Sequence, residues 1–160
     1  MVEMHLVGVR VEMPTNSPIV LLREADGEHR VLPIFIGAVE ATAIAFALQG
    51  VETPRPMTHD LMRDLLVSLG IGVERVVITE LRDRTFYAEI ELTGSGSGTK
   101  VSSRPSDAIA LAARLGTPIF AQESVLEEAG VTVSDDDEQE IEVEKFREFL
   151  EGVNPEDFAS

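Results

Sequence analysis

The sequence predicts an α+β fold with a mixed, largely antiparallel β-sheet and buried, alanine-rich helices. Short segments of alternating or continuous apolar residues, separated by turn signals, predict strands at both ends of the chain body. Residues 38–49 and 108–113 are apolar on nearly every side, which is typical of helices covered on more than one face. We therefore predict one domain over residues 1–133, followed by an acidic linker and a C-terminal amphipathic helix over residues 134–160.

The first 36 residues predict three antiparallel strands. Apolar residues alternate over residues 4–13, and a proline-bounded turn follows. Residues 19–23 predict the second strand, and residues 25–28 form a typical hairpin signal before a third strand over residues 30–36. The sheet is thus expected to begin as an antiparallel meander.

Two predicted helices follow this meander. The first spans residues 38–49 and ends at Gly50, a residue suited to a helix C-terminus. A rigid proline-rich connection then leads to a helix that begins near His59, with Thr58 as its expected N-cap. Its leucines at 61, 65, 66 and 69 have the spacing of one helical face, so we expect this face to pack on the core.

The second half predicts a further hairpin and the last buried elements. Residues 73–81 and 85–92 alternate as half-buried strands should, and residues 99–103 predict a third strand after a glycine-serine loop. A helix starts with Pro105 at its first position and ends before Gly116. Residues 118–121 predict a short buried strand and residues 125–129 a short helix.

The distribution of charge limits the classes of function. The net charge is −16: residues 1–130 carry 11 basic and 18 acidic residues, and residues 131–160 carry 2 and 11. An acidic body argues against a long cationic track for nucleic acid. The absence of cysteine excludes disulfides and thiolate zinc sites, and no apolar run is long enough to cross a bilayer. We expect a cytoplasmic protein without a membrane partner.

The start of the second helix concentrates polar chemistry. Free N–H groups at a helix start attract anions, and Arg55 offers a planar fork that suits phosphate. Thr58 and Asp60 contribute oxygen atoms there, and His59 near the positive end of the helix suits a base or a metal ligand. The same residues also fit ordinary helix capping, with Thr58 as the cap and the negative charge of Asp60 interacting favourably with the positive end of the helix dipole.

A second set has the same pattern at the start of the 105–115 helix. Arg104 precedes Pro105, and Ser106 and Asp107 lie in the first turn. Arg104 is expected to clamp phosphate or to pair with a buried acid. Glu40 is such an acid, because a carboxylate on a nearly all-apolar helix must pair, bind a cation or stay protonated. Arg55 and Arg104 are its natural partners.

Several common sites are excluded by spacing. The Gly94–Gly98 loop is followed by Thr99, Lys100 and a strand, whereas a phosphate-binding P-loop needs glycine before lysine and then a helix. The three histidines, at 5, 29 and 59, are too dispersed for a zinc site. The chain also lacks the Rossmann glycine fingerprint and the HExxH motif.

Four motifs in order resemble one known family, the bifunctional nuclease (BFN) domain. They read LPIFIGAVEATAIAFALQG, PRPMTHDLMRDLL, TFYAEIEL and SRPSDAIALAARLGTPIFAQE, and the similarity covers about residues 1–130, most closely to bacterial members. The resemblance implies a compact α+β fold, a homodimer and a nuclease acting on DNA and RNA. The residues that stand in these motifs are Glu40, Arg55, Thr58, His59, Asp60, Arg104, Ser106 and Asp107.

These residues give a mechanistic hypothesis. Glu40, Asp60 and Asp107 are candidate ligands of Mg²⁺ or Mn²⁺, with no organic cofactor. Arg55 and Arg104 would bind the scissile phosphate while His59 orients or deprotonates water, and Thr58 and Ser106 would contact the substrate. The alternative is a non-catalytic oligomeric binding or regulatory domain, whose arginines and carboxylates form a structural ion-pair network or bind a small anion.

Overall fold

A computed structural model describes residues 1–132 of the chain. The predicted acidic linker and C-terminal helix lie outside these residues. Seven strands and four helices follow one another in this order: β1 (Val2–Glu12), β2 (Ser17–Glu24), β3 (Val31–Phe35), α1 (Ala38–Gln49), α2 (Thr58–Ser68), β4 (Ile71–Arg82), β5 (Thr85–Gly94), β6 (Lys100–Ser103), α3 (Pro105–Leu115), β7 (Ile119–Ala121) and α4 (Glu123–Ala129).

The strands form one mixed, largely antiparallel sheet, as predicted. Its order is β3-β2-β1-β7-β4-β5-β6. The hairpins β1–β2–β3 and β4–β5–β6 are antiparallel throughout. Strand β7, only three residues long, joins the halves by pairing antiparallel with β1 and parallel with β4. The predicted α+β fold class is therefore confirmed.

The two alanine-rich helices form the centre of the core. Six consecutive residues of α1, 41–46, are buried, and residues 108–112 of α3 are 1% exposed or less. The helices pack on each other and on the sheet, with α1 against β1 and β2 and α3 against β4 and β5. Small alanine side chains let these backbones approach closely. Among the described residues, no helix is long and apolar enough to span a bilayer.

Helix α2 differs from its prediction in two respects. Met57, with extended backbone angles, precedes the first helical residue, so Thr58 lies inside the helix and is not its cap. The side chain of Asp60 instead accepts a hydrogen bond of 3.0 Å from the Met57 N–H. Leu66 packs on the core as expected, but the face through Leu61, Leu65 and Leu69 is exposed. The residues of α2 that face the rest of the protein are His59, Met62 and Leu66. The apolar stripe of the helix is wider than this contact, so part of the stripe stays exposed.

A buried ion pair ties the first hairpin to α4. Glu24, at the end of β2, is 5% exposed and accepts two hydrogen bonds from the Arg30 guanidinium, at 2.8 and 3.1 Å. The Arg30 N–H donates a third, at 2.7 Å. The outer side of Arg30 reaches Glu123 of α4 at 2.8 Å. The hydrogen bonds from Arg30 outweigh the effect of burial and lower the pKa of Glu24.

Candidate functional site

An open groove of about 460 Å³ lies where the chain turns from β3 into α1 and from β6 into α3. Its walls also include the start of β2 and the β4–β5 turn. This size falls within the usual range of ligand pockets. The lining includes the polar and aromatic residues Ser17, Phe35, Arg84, Arg104 and Ser106.

Arg104 lies at the centre of an ion-pair network beside this groove. As the residue before α3, it donates from Nε to Asp107 Oδ2 at 2.9 Å and from Nη2 to Glu40 Oε1 at 2.8 Å. The hydrogen bonds to Asp107 and then Glu40 raise the pKa of Arg104. Its side chain nevertheless remains 66% exposed, and Nη1 has no partner among residues 1–132. Two carboxylates thus hold the guanidinium in place while one edge stays open.

His59 supports this network from behind. Its imidazole is buried, and Nε2 donates to Asp107 Oδ1 at 2.9 Å, since an ionised carboxylate only accepts. Burial raises the pKa of Asp107, but the hydrogen bonds from His59 and Arg104 outweigh it, so the pKa lies below its ordinary value. With its ring 6% exposed, His59 orients Asp107 and does not face the groove.

Asp60 belongs to a different network, between α2 and the end of α3. Its Oδ1 accepts a hydrogen bond of 2.7 Å from Arg114 Nε, and the Arg114 side chain is 6% exposed. Burial raises the pKa of Asp60, but the hydrogen bonds from the Met57 N–H and from Arg114 together outweigh this effect, so the pKa lies below its ordinary value. Neighbouring positions in the sequence, His59 and Asp60, therefore serve opposite ends of α3.

Two of the predicted residues do not join either network. Arg55 is exposed in the connection between α1 and α2, and no ion pair or side-chain hydrogen bond links it to Glu40 in the described part of the chain. Thr58 is exposed at the first position of α2. Of the two arginines considered as partners for Glu40, the structure brings only Arg104 to it.

The carboxylates do not fit a shared divalent ion in this arrangement. Glu40 and Asp107 both contact the Arg104 guanidinium, and Asp60 contacts Arg114. Within residues 1–132, no three His, Asp or Glu side chains are grouped so that they could hold a metal ion. The Arg104 guanidinium between Glu40 and Asp107 occupies the position that Mg²⁺ or Mn²⁺ would need in order to bind both carboxylates, and of their four oxygen atoms only Glu40 Oε2 has no partner among residues 1–132.

The ion-pair network lies within a segment that matches a known protein family. The model of the bifunctional nuclease domain matches residues 20–134, which include α1, α2 and α3. The chain belongs to the bifunctional nuclease domain family. A family relative in Mycobacterium tuberculosis, described only as an uncharacterized protein, is 50% identical over 98% of this chain and 97% of its own length.

Plant relatives in the family carry the nuclease name. Bifunctional nuclease 2 of rice (Oryza sativa subsp. japonica) is 29% identical over 78% of this chain. Bifunctional nuclease 2 of Arabidopsis thaliana is 27% identical over 77%. Each match covers 39% of the plant protein.

The structure adds three groove residues that sequence reasoning missed in this family member. Arg84 has positive φ, +65°, in the two-residue β4–β5 turn, follows Asp83 at +50°, and has no partner in the described chain. Such backbone angles are uncommon for residues other than glycine, and they are visible only in the structure. Phe35 is 67% exposed although it ends a buried strand. Ser17 joins them only through the folding of β2 beside β3, which local sequence does not reveal.

Proposed function

We propose that this chain is a nuclease that hydrolyses phosphodiester bonds of DNA and RNA in the groove between β3, α3 and the β4–β5 turn. The observation that carries the proposal is the convergence of two guanidinium groups, Arg84 and Arg104, on one open groove of an otherwise acidic protein. The family and the plant relatives named bifunctional nucleases support it. Guanidinium groups match the geometry of phosphate oxygens.

The arginines supply charge stabilisation. In phosphoryl transfer most catalysis comes from positioning and from cations that stabilise charge on the phosphate oxygens. Glu40 and Asp107 fix Arg104 in advance, so little reorganisation accompanies the reaction. His59 is a positioning residue, because it acts through Asp107.

We assign to Glu40, which lies beside the groove, the role of accepting the proton of the attacking water, because one of its oxygen atoms has no partner among residues 1–132. Its Oε1 binds Arg104, whereas Oε2 lies against Gly37, a groove residue, and accepts no hydrogen bond in the described chain. Water would add to phosphorus, the bond to the leaving oxygen would break, Glu40 would take one water proton, and the leaving oxygen would take a proton from solvent. The products are one phosphomonoester end and one hydroxyl end.

The Mg²⁺ or Mn²⁺ requirement stays a prediction from the sequence. We assign no step to a metal, because the described carboxylates are already engaged by arginines. The requirement is measured by comparing cleavage in Mg²⁺, in Mn²⁺ and with EDTA.

Replacing Arg84 tests the nuclease proposal. We expect Arg84→Ala to lower cleavage of labelled DNA and RNA oligonucleotides about tenfold, as loss of one charge-assisted phosphate contact of about 1.4 kcal/mol would do. Lys100→Ala removes an exposed cation outside the groove and should leave the rate unchanged. Equal rates in wild-type and Arg84→Ala preparations would contradict the assignment of the reaction to this groove.

A second candidate is a non-catalytic binding or regulatory domain. The observation that favours it is the pairing of Glu40, Arg104, Asp107 and His59 in one hydrogen-bonded network, which a structural role also explains. The two candidates differ in the expected effect of Arg84, which contributes to no network in the described chain. Arg84→Ala changes cleavage only if the groove is catalytic.

We also propose that a second copy of the chain covers the exposed face of α2. Leu61, Leu65 and Leu69 are 52%, 54% and 64% exposed and follow one another at four-residue spacing. A two-fold axis would bring the same face of two α2 helices together, as in most homodimers. The homodimer implied by the family resemblance fits this surface.

Replacing Leu65 tests the dimer. We expect Leu65→Glu to convert a dimer to a monomer in light scattering coupled to gel filtration, because two acidic groups would meet in an apolar contact. Ser68→Glu, on the same helix and also exposed, places a charge beside the leucines and should weaken the dimer less. A wild-type monomer at high concentration would refute the proposal.

A further inference from the structure

We propose that the groove holds one unpaired nucleotide of a nucleic-acid strand, with its base against Phe35 and its phosphate at Arg84, Arg104 and Ser106. This inference rests on the proposed nuclease function, because it names the form of substrate that the same groove takes. Its parts are an exposed aromatic ring, a hydroxyl without a partner among residues 1–132, and two guanidinium groups that the same residues leave wholly or partly free.

The aromatic part of the groove is Phe35. It ends β3 with 67% of its surface exposed, although the two preceding apolar positions on the strand, Leu32 and Ile34, are nearly fully buried. An exposed phenyl ring that lines a groove can stack on a base, and such stacking is tolerant of base identity. The neighbouring wall contributes Pro18 and Phe86, which make this end of the groove apolar.

The anion-binding part is the start of α3. Ser106 lines the groove, is 5% exposed, and its hydroxyl forms no hydrogen bond with any described residue. Its hydroxyl is not among the fully buried side-chain atoms that lack a partner, so it is open to the groove and free to bind a ligand oxygen. The helix start has no side-chain cap, so the backbone N–H groups of Ser106 and Asp107 are also unused by the helix.

The guanidinium groups complete this anion site. Arg84 has no partner in the described chain, and Nη1 of Arg104 is left open by the carboxylates that hold its other nitrogens. A phosphate at Ser106 would thus meet hydroxyl, backbone and guanidinium donors together. Charged acceptors of this kind favour such convergent donors.

An unpaired strand fits these features better than a duplex. In a duplex both faces of a base are covered by neighbouring bases, so Phe35 would find no face to stack on, whereas unstacked bases are open to aromatic side chains. Duplex binding also depends on many phosphate contacts along a cationic surface. Residues 1–130 carry 18 acidic against 11 basic residues, and the groove offers only two guanidinium groups.

Tryptophan fluorescence tests the position of the base. The chain has no tryptophan, so Phe35→Trp introduces a single reporter in the groove. We expect saturable quenching of its fluorescence by a single-stranded thymidine octamer with uncleavable linkages, and at least tenfold weaker binding of a blunt duplex. Val101→Trp, at a 44% exposed position outside the groove, should show no quenching.

A paired change in protein and ligand tests the stacking itself. We expect Phe35→Ala to weaken binding of the octamer at least fivefold, and to leave binding of an abasic octamer with the same phosphates unchanged. No quenching of Phe35→Trp, an equal loss on the abasic strand, or equal affinity for the duplex would each overturn the inference. Cleavage measured in parallel separates the two proposals: cleavage without quenching removes only this inference, and quenching without cleavage removes only the nuclease.

Discussion

Arg104→Ala is expected to lower phosphodiester cleavage by about 100-fold or more, which is the scale of losing a preorganised donor in an active site. Arg104 lines the groove, and its guanidinium is held by Glu40 and Asp107. Its loss would remove the proposed phosphate contact, and it would also remove the positive charge between the two carboxylates. Initial rates on labelled single-stranded DNA and RNA measure the effect. Arg104→Lys keeps the charge but not the planar fork, and should restore only part of the rate.

The stability of Arg104→Ala must also be measured. If the ion-pair network is purely structural, the substitution lowers the rate only by unfolding the protein. Unfolding of Arg104→Ala in urea shows how much folded protein is present in the assay. The nuclease proposal requires a large rate loss in protein that remains folded at the assay temperature. An unchanged rate in folded Arg104→Ala would eliminate Arg104 and the groove from the mechanism.

Arg30→Ala is expected to lower the free energy of unfolding by about 2–3 kcal/mol. Removing one partner of a buried ion pair costs several kcal/mol because the remaining charge loses its hydrogen bonds. We expect the low end of that range, because the Arg30 side chain is 17% exposed and water can replace part of the contact at Glu24. Urea unfolding followed by circular dichroism measures it. Glu123→Gln, at the 49% exposed outer end of the same network, should cost less than about 1 kcal/mol.

The dependence on pH gives an independent check of this pair. The pKa of folded Glu24 lies below its ordinary value, so the folded state binds fewer protons on this group than the unfolded state does. Its stabilising contribution is present above the unfolded pKa and is lost as the pH falls through the folded pKa. Arg30→Ala should therefore show a weaker loss of stability on acidification than the wild-type protein, and equal slopes would contradict the assignment.

Periodicity predicted the fold well where burial follows a simple pattern. The central apolar segments of α1 and α3 are buried on several sides, and both hairpins occur where turn residues separated alternating strands. Helix α2 was less predictable. Its apolar stripe is wider than one packing surface, so the sequence does not show which part of the stripe faces the core. In the structure Met62 and Leu66 face the core, and Leu61 and Leu65 remain exposed.

The candidate site was predicted only in part, for a physical reason. Local sequence indicated that Glu40 needs a partner and that Arg104 precedes a helix start, and the structure joins them. The hypothesis did not distinguish Arg104 from Arg55, because the choice depends on how α1 and α3 pack. Arg84 lies in the β4–β5 turn and Phe35 at the end of β3. Both positions are distant in sequence from Ser106, so no local motif could have placed them beside it.

The three-residue strand β7 has a consequence for synthesis on the ribosome. It is inserted between β1 and β4, yet it is encoded after every other strand of residues 1–132. The two hairpin halves can form as they emerge, but their edges at β1 and β4 stay open until residues 119–121 have left the exit tunnel. During that interval each nascent chain presents two unsatisfied strand edges to its neighbours on a polysome. The sheet over residues 1–132 can therefore close only after residues 119–121 have been synthesised.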